Sequence, residues 1–347
     1  MVNAASVAAV DYTSIAPAEQ VSPALRRALV SDAVRVLLQL AWPFTWPARW
    51  YWSHSEHQVG KKLLVDRLLK QLLPSAPAEF EAELTGGGRV FLQHRDDIGT
   101  VVLLTGAFEP AETRCARELT SEGSVAIDVG ANVGMFTVPL AMAVGPLGRV
   151  LALEPSSENV RRLVRNLEVN GLDNVDVHAV ALAEKSGEVL LRLGADPAFH
   201  STTTVIRARE TCDCAVVEAQ TLDSVWQAAG SPEVSFLKID TEGGELEILG
   251  GGRGLLRAFH PPILIEAKGK ARVRELDAFL LPLGYERTRP RGFAMGNYLY
   301  SAPSERVSAT ASRPLRTTLL SWLPLRPVRR RVPGLAAQEQ LAPNAQR

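Results

Sequence analysis

Between residues 124 and 267 short apolar runs alternate with segments of helical periodicity, and this alternation limits the fold more than any other feature. The runs are SVAIDVG, RVLALEP, VDVHAVAL, VSFLKID and PILIEA, and helical patterns cover 133–143, 156–170 and 245–257. Runs that are apolar almost throughout must be buried on both faces, and a strand followed by a helix returns parallel to itself. The fold class this predicts is α/β, a doubly wound, mostly parallel sheet. Ahead of it, GGGRVFLQHRDD and TVVLLTG read as a β-hairpin, and GEVLLRLG, STTTVIR and CAVVEAQ between 187 and 220 read as an extra β insertion. Residues 23–80 read as helical pieces broken by Pro43 and Pro47. The predicted division is 1–83, a disordered then helical, Trp-rich segment; 84–300, the α/β domain; and 301–347, a disordered basic tail.

Lys and Arg number 38, Asp and Glu 38, so the formal charge is zero and nothing points to nucleic acid. The tail holds eight Arg, no Lys and only Glu305 and Glu339, a net of +6, which leaves −6 on the remaining residues. Trp42, Trp46, Trp50 and Trp52, and the LLSWLPL patch among the tail arginines, are ingredients of an interfacial membrane contact through 33–52 and 313–331; the first cluster equally suits an aromatic cap on the main domain. Only 13 residues, two of them prolines, separate Arg35 from Arg49, too few to span a bilayer. Cys115, Cys212 and Cys214 are too few for a disulfide framework or a four-ligand zinc site, and alternate placement of the last two predicts packing. The expected location is cytoplasmic, peripheral at the membrane if those contacts form.

VAIDVGANVGMF, 125–136, carries the strongest chemical signal. A strand ends at Asp128, and Gly130 and Gly134 open the next helix, so backbone can approach a ligand at the carboxyl edge of the sheet. Asn132 stands where a pyrophosphate-binding turn would place its middle glycine, which disfavours phosphate cradling. Asp128 suits a ligand bearing a positive or amine group. Glu154, ending the next strand 24 residues after Gly130, is placed to take the hydroxyls of a ribose.

The second segment is FLKIDTEGGELEILGG, 236–251. Period-two geometry puts Lys238 and Asp240 on the same side of a core strand, with Glu242 in the following turn. Charges on such a strand either pair with one another or do chemistry. Glu266 at the end of PILIEA, and Lys268, can join the group; a divalent metal, if there is one, would take Asp240 and Glu266. His200 and His260 read as surface or capping residues.

HRDDIGTVVLLTGAFEP, AIDVGANVGMFTVPLA, LALEPSSENVRRLVRNLEVNG, VHAVALAEKSGEV, QTLDSV, FLKIDTEGGELEILGG and PPILIEA follow one another over roughly residues 90–290. In this order and spacing the chain resembles the FkbM family of S-adenosylmethionine (SAM)-dependent methyltransferases, class I and Rossmann-like. The resemblance implies SAM as cofactor. Asp128, Gly130, Asn132 and Gly134 would surround its methionine part, Glu154 would hold the ribose, and a third strand ending near Ala181 would border the adenine; Ala183-Glu184 replaces the family's frequent Ser-Asp just beyond.

Methyl transfer is an in-line displacement at a sulfonium, so the protein must mainly align the acceptor and manage its proton. Asp240 is the expected general base, with Glu242 and Lys238 positioning it. Asp240-Thr241-Glu242-Gly243 lacks the Pro-Pro-aromatic signature of amino methylation of bases, and no Pro-Cys nucleophile for cytosine C5 occurs. The expected reaction is therefore O-methylation of a small-molecule, sugar or glycolipid acceptor, secondary metabolites included. A nicotinamide-dependent oxidoreductase is the alternative enzyme, and a membrane-surface protein with a non-catalytic SAM-binding fold the alternative outside catalysis.

Overall fold

The computed structural model describes residues 79–93, 96–192, 201–203 and 214–303. The Trp-rich segment, the basic tail, both expected membrane contacts, Cys212 and His200 lie outside the described residues. Strands β1 (Glu79–Glu83) and β2 (Arg89–Gln93) precede helices α1 (Asp97–Thr105) and α2 (Pro110–Leu119). Then come β3 (Val125–Val129), α3 (Thr137–Val144), β4 (Arg149–Leu153), α4 (Ser157–Glu168) and β5 (Val175–His178). An insertion follows, of β6 (Ala181–Leu182), β7 (Gly187–Arg192), β8 (Ser201–Thr203) and β9 (Cys214–Gln220). The chain continues through α5 (Leu222–Ala228), β10 (Val234–Ile239), α6 (Glu245–Gly250), α7 (Arg253–Phe259), β11 (Ile263–Glu266) and α8 (Lys270–Leu280), and ends in β12 (Glu286–Thr288) and β13 (Asn297–Ser301).

Seven strands form the central sheet in the order β12-β13-β11-β10-β3-β4-β5. Pairs among β5, β4, β3, β10 and β11 are parallel, and β13 enters antiparallel between β11 and β12. The chain winds outward from β3 to β5 and then resumes at β10 on the other flank of β3. At that reversal the connections after β3 and β10 leave for opposite faces and open a crevice at the carboxyl edge. Along β3 the alternation assigns Ala126 to one buried cluster with α3 and Ile127 and Val129 to the other with α5–α8, so both faces are covered as the apolar runs require. This is the mixed α/β, mostly parallel, doubly wound architecture that the sequence predicts.

Four sequence readings are corrected. The hairpin is present, but it joins β1 to β2, whereas TVVLLT is helical: Asp96 caps the amide of Gly99 and starts α1 there. VDVHAVAL is two strands, since β5 ends at His178 and Ala181 pairs with Ala219 on β9 in the separate sheet β6-β9-β7-β8. A continuous apolar run carries no mark of where a chain changes sheets. The helix expected over 245–257 is broken at Gly250–Gly252, where a side chain on Gly251 would stand 2.4 Å from the Ala183 carbonyl oxygen. Cys214 is disulfide-bonded, where packing alone is expected; Cys115 is a free buried thiol. Among the described residues no helix is long and apolar enough to cross a membrane.

Candidate active site

The strand register puts the ends of β3 and β10 side by side, Asp128 against Lys238 and Val129 against Ile239. Leaving β3, Gly130 turns with φ +77°, and a Cβ there would lie 1.9 Å from the carbonyl oxygen of Asp240. The turn then closes on β4. Gly130 and Ala131 donate their amides to the Leu153 carbonyl at 2.9 and 3.0 Å, Asn132 donates to Glu154 Oε2 at 2.9 Å, and Gly134 donates to Ala131 at 2.9 Å. These four loop amides are therefore spent on the chain itself, and none of them is left to cradle a phosphate.

Glu154 is buried beneath this loop, and its Oε1 also accepts from Ser156 N at 2.9 Å and Asn159 Nδ2 at 3.3 Å. Burial pushes its carboxyl above the usual carboxylate range, and these N–H donors pull part of that back. An ionised carboxylate has about four acceptor positions, so three donors leave room for one further hydroxyl. The crevice thus has a buried carboxylate on β4 that can accept a hydroxyl, and the amides of Gly130, Ala131, Asn132 and Gly134 are not free to donate to a phosphate. Asp128 is 0% exposed. It takes the Thr137 hydroxyl at 2.7 Å on Oδ2, while Oδ1 faces Lys238 Nζ at 3.6 Å. Its charge partner is thus the lysine. Ala181 is buried in the inserted sheet rather than at the end of the third parallel strand.

Lys238 completes a ladder of charges. Its ammonium lies 3.6 Å from Asp128 and 3.5 Å from Asp240, 4.8 Å above the Phe136 ring. Burial acts to lower its pKa, but Asp240, Asp128 and Glu109 outweigh this and hold it at about 12. Lys238 is thus a fixed cation and no base. Asp240, with 32% of its side chain exposed, is the member that a ligand can reach. Glu242, in the left-handed region at φ +57°, pairs with Lys268, whose ammonium also lies 3.4 Å from Glu266. Asp240, Glu242 and Glu266 bring carboxylate oxygens within 4.8 Å of one another, a spacing that could hold a metal ion, and the cation facing them here is Lys268. An open pocket beside them is lined by Glu242, Gly243, Glu245, Glu266, Lys268 and Arg272. His260 caps α7, its Nε2 3.1 Å from the Leu283 carbonyl, as its sequence position predicts.

Sequence reasoning missed three members of this edge: Glu109, Glu112 and Asn297. The Asn297 amide donates to Glu109 Oε1 at 3.0 Å and to Glu112 Oε1 at 3.1 Å, and Asn297 sits opposite Glu266 in the strand register. Glu109-Pro110-Ala111-Glu112 looks in sequence like an ordinary acidic helix start. Its only signal was a glutamate directly before the proline. Glu109 and Glu266 are each raised from the ordinary 4.5 to about 8, first by burial and then by neighbouring carboxylates, with Glu112, Glu154 and Glu245 shifted the same way. Each binds its proton more tightly folded than unfolded. Their contribution to stability is therefore complete below the unfolded value near 4.5 and is lost as pH rises through about 8 for Glu109 and Glu266. Thermal scans should show Tm falling between about pH 5 and pH 8, with a shallower fall in Glu266→Gln; a flat wild-type profile would count against these shifts.

Residues 128–287 match the family model described as the methyltransferase FkbM domain. Methyltransferase 1 of Beauveria bassiana is 24% identical over 147 residues, covering 38% of this chain and 59% of that protein. The 23S rRNA (uracil(1939)-C(5))-methyltransferase RlmD of Acinetobacter baylyi is 36% identical over 63 residues, 18% of this chain and 14% of that protein. The chain thus spans less than two thirds of the curated relatives it matches. The crystal structure of methyltransferase FkbM from Methylobacillus flagellatus aligns with a TM-score of 0.36 and 19% identity, over 59% of this chain and 52% of that one.

Proposed function

We propose that the FkbM domain is a SAM-dependent methyltransferase acting on a hydroxyl of a sugar, glycolipid or secondary metabolite. The observation that carries the cofactor reading is the spent turn. With the amides of Gly130, Ala131, Asn132 and Gly134 bonded to the chain, a pyrophosphate would find none of these four donors free, which weighs against a nicotinamide cofactor and for one without phosphate. Gly130, Asn132 and Gly134 would line the methionine part, Asp128 would act there by fixing Lys238, and Glu154 would accept from the ribose. When bound, SAM supplies a methyl group already activated on a cationic sulfonium.

The chain then has two tasks. Asp240 accepts a hydrogen bond from the acceptor hydroxyl and takes its proton as the methyl arrives, which is the usual work of a positioned carboxylate. Lys238, fixed between Asp128 and Asp240, keeps that carboxylate in place, and Glu242 with Lys268 borders the acceptor side. The absence of a Pro-Cys nucleophile favours oxygen over pyrimidine carbon as the acceptor atom.

Calorimetry with SAM tests the cofactor. Micromolar binding is expected, and Glu154→Gln, which keeps the size and loses the charge, should weaken it by about tenfold, from the ~1.5 kcal/mol of one charged hydrogen bond. Binding of NAD with no response to SAM would favour the oxidoreductase. Tritiated-methyl SAM incubated with a cell extract tests the acceptor: label should enter lipid, polysaccharide or small molecules, and label in protein alone would overturn the hydroxyl reading. A peripheral contact through 33–52 and 313–331 is part of the proposal. It predicts that full-length protein floats with anionic liposomes and that a chain ending at residue 300 does not.

A further inference from the structure

Residues 240–244 join β10 to α6, and this short turn carries both Asp240 and Glu242. Its shape depends on what catches its peptide groups. Two consecutive residues in it have positive φ, Glu242 at +57° and Gly243 at +122°. The first value is strained for a residue with a Cβ and persists only where surrounding contacts enforce it. Those contacts converge on Gly243. Its amide donates to Glu245 Oε1 at 2.8 Å, and its carbonyl accepts from Arg272 Nη2 at 2.6 Å. Glu245, buried at the start of α6, also takes the Thr241 hydroxyl at 3.5 Å, and its Oε2 lies 3.8 Å from Nε of Arg272, in the first turn of α8. One ion pair therefore grips both polar groups of a single residue. A Cβ added to Gly243 would meet nothing within 4 Å, so hydrogen bonds and not crowding hold the turn here.

We propose that Glu245 and Arg272 are positioning residues for methyl transfer: by holding Gly243 they fix the turn that presents Asp240 and Glu242 to the acceptor. This rests on the methyl-transfer reading above. The contacts divide the crevice in two. The turn after β3, on the cofactor side, closes on Leu153 and Glu154 of β4 and its end. The turn after β10, on the acceptor side, is anchored at its start by the Asp240 amide on Val129, 3.1 Å, and at its far end by the Glu245–Arg272 grip. Losing that grip frees the acceptor side and leaves the cofactor side closed. The guanidinium suits this task, since its planar fork turns Nη2 to the carbonyl and Nε to the carboxylate while Nη1 donates to Glu275 at 3.2 Å.

Label transfer from tritiated-methyl SAM into a cell extract by the full-length protein, read beside SAM calorimetry, tests this. Arg272→Gln should bind SAM as the wild type does and lose transfer by about 10- to 100-fold, the cost of a reacting group displaced by about 1 Å. Glu245→Met, similar in size but without an acceptor, should behave alike, and the double variant should lose little more than either single one, because both act through one peptide. Glu245→Gln keeps an acceptor for the Gly243 amide and should recover most of the transfer. Glu275→Gln removes another partner of the guanidinium without touching the turn, and should stay within about twofold of wild type. Wild-type transfer in Arg272→Gln overturns the proposal. Loss of SAM binding along with transfer in that variant, through misfolding or otherwise, overturns it too, because the split between cofactor and acceptor sides is then gone. If Glu245→Met does not fold, Arg272→Gln and Glu275→Gln decide between them: equal losses would mean that α8 itself, and not its grip on Gly243, is responsible. If the wild-type protein transfers no label, the methyl-transfer reading fails first and this inference with it.

Discussion

Lys238→Met lowers the stability of the domain by about 3–5 kcal/mol, the cost of breaking a buried ion pair from one side. The lysine is buried with a wholly inaccessible Asp128 on one side and Asp240 on the other. Methionine matches the stem and can pack against Phe136, so little of the loss comes from shape. What remains is a carboxylate oxygen, Asp128 Oδ1, that makes no hydrogen bond and whose partner was the ammonium 3.6 Å away. The signature is in the pH dependence. An uncompensated buried carboxylate gains proton affinity on folding, so the variant approaches wild type in acid and falls further behind as pH rises toward neutrality. Adding Asp128→Asn removes the stranded charge and should restore roughly 1–3 kcal/mol. Urea denaturation of the single and double variants near pH 5 and pH 8 reads both magnitudes and the pH dependence; a single variant within about 1 kcal/mol of wild type at both values would overturn the account.

The part of this site that could be read in advance is the part governed by periodicity. Lys238 and Asp240 were placed on one side of a strand by counting residues, and the 3.5 Å ion pair follows from that count. The glycine turn, its indifference to phosphate and the carboxylate at the next strand end came from residue types whose backbone demands are strong. Where the reading failed, the deciding contact was distant. TVVLLT has the composition of a strand, but Asp96 caps it as a helix, and a salt bridge of 2.7 Å ties Asp96 to Arg162, far along the chain. Ala181 continues the apolar run of β5, yet its partner is Ala219 in another sheet. Glu109, Glu112 and Asn297 meet across nearly the whole domain, and no local pattern announces a meeting between a helix start and the last strand.

Gly130→Ala should be strongly damaging, and a second glycine shows why. Gly123 has the same φ of +77°, and a Cβ added there meets nothing within 4 Å. At Gly130 the same atom would stand 1.9 Å from the Asp240 carbonyl oxygen and 2.9 Å from its carbon. Both positions carry the left-handed penalty of about 1–2 kcal/mol for a residue with a Cβ. The difference between the variants therefore isolates the clash. It cannot be relieved by turning a side chain, because the obstacle is backbone, and that backbone is tied to β3 through the Asp240 amide and the Val129 carbonyl at 3.1 Å. The ends of β3 and β10 must part, which separates the turn over Glu154 from the Lys238–Asp240 pair in one movement. Gly123→Ala is expected to lose about 1 kcal/mol and to bind SAM normally, whereas Gly130→Ala loses at least about 3 kcal/mol, more than the penalty common to both, and any folded fraction loses SAM binding. Equal losses in the two variants would mean that conformational strain alone fixes glycine at this turn, and that the close approach of the two strand ends contributes nothing to the site.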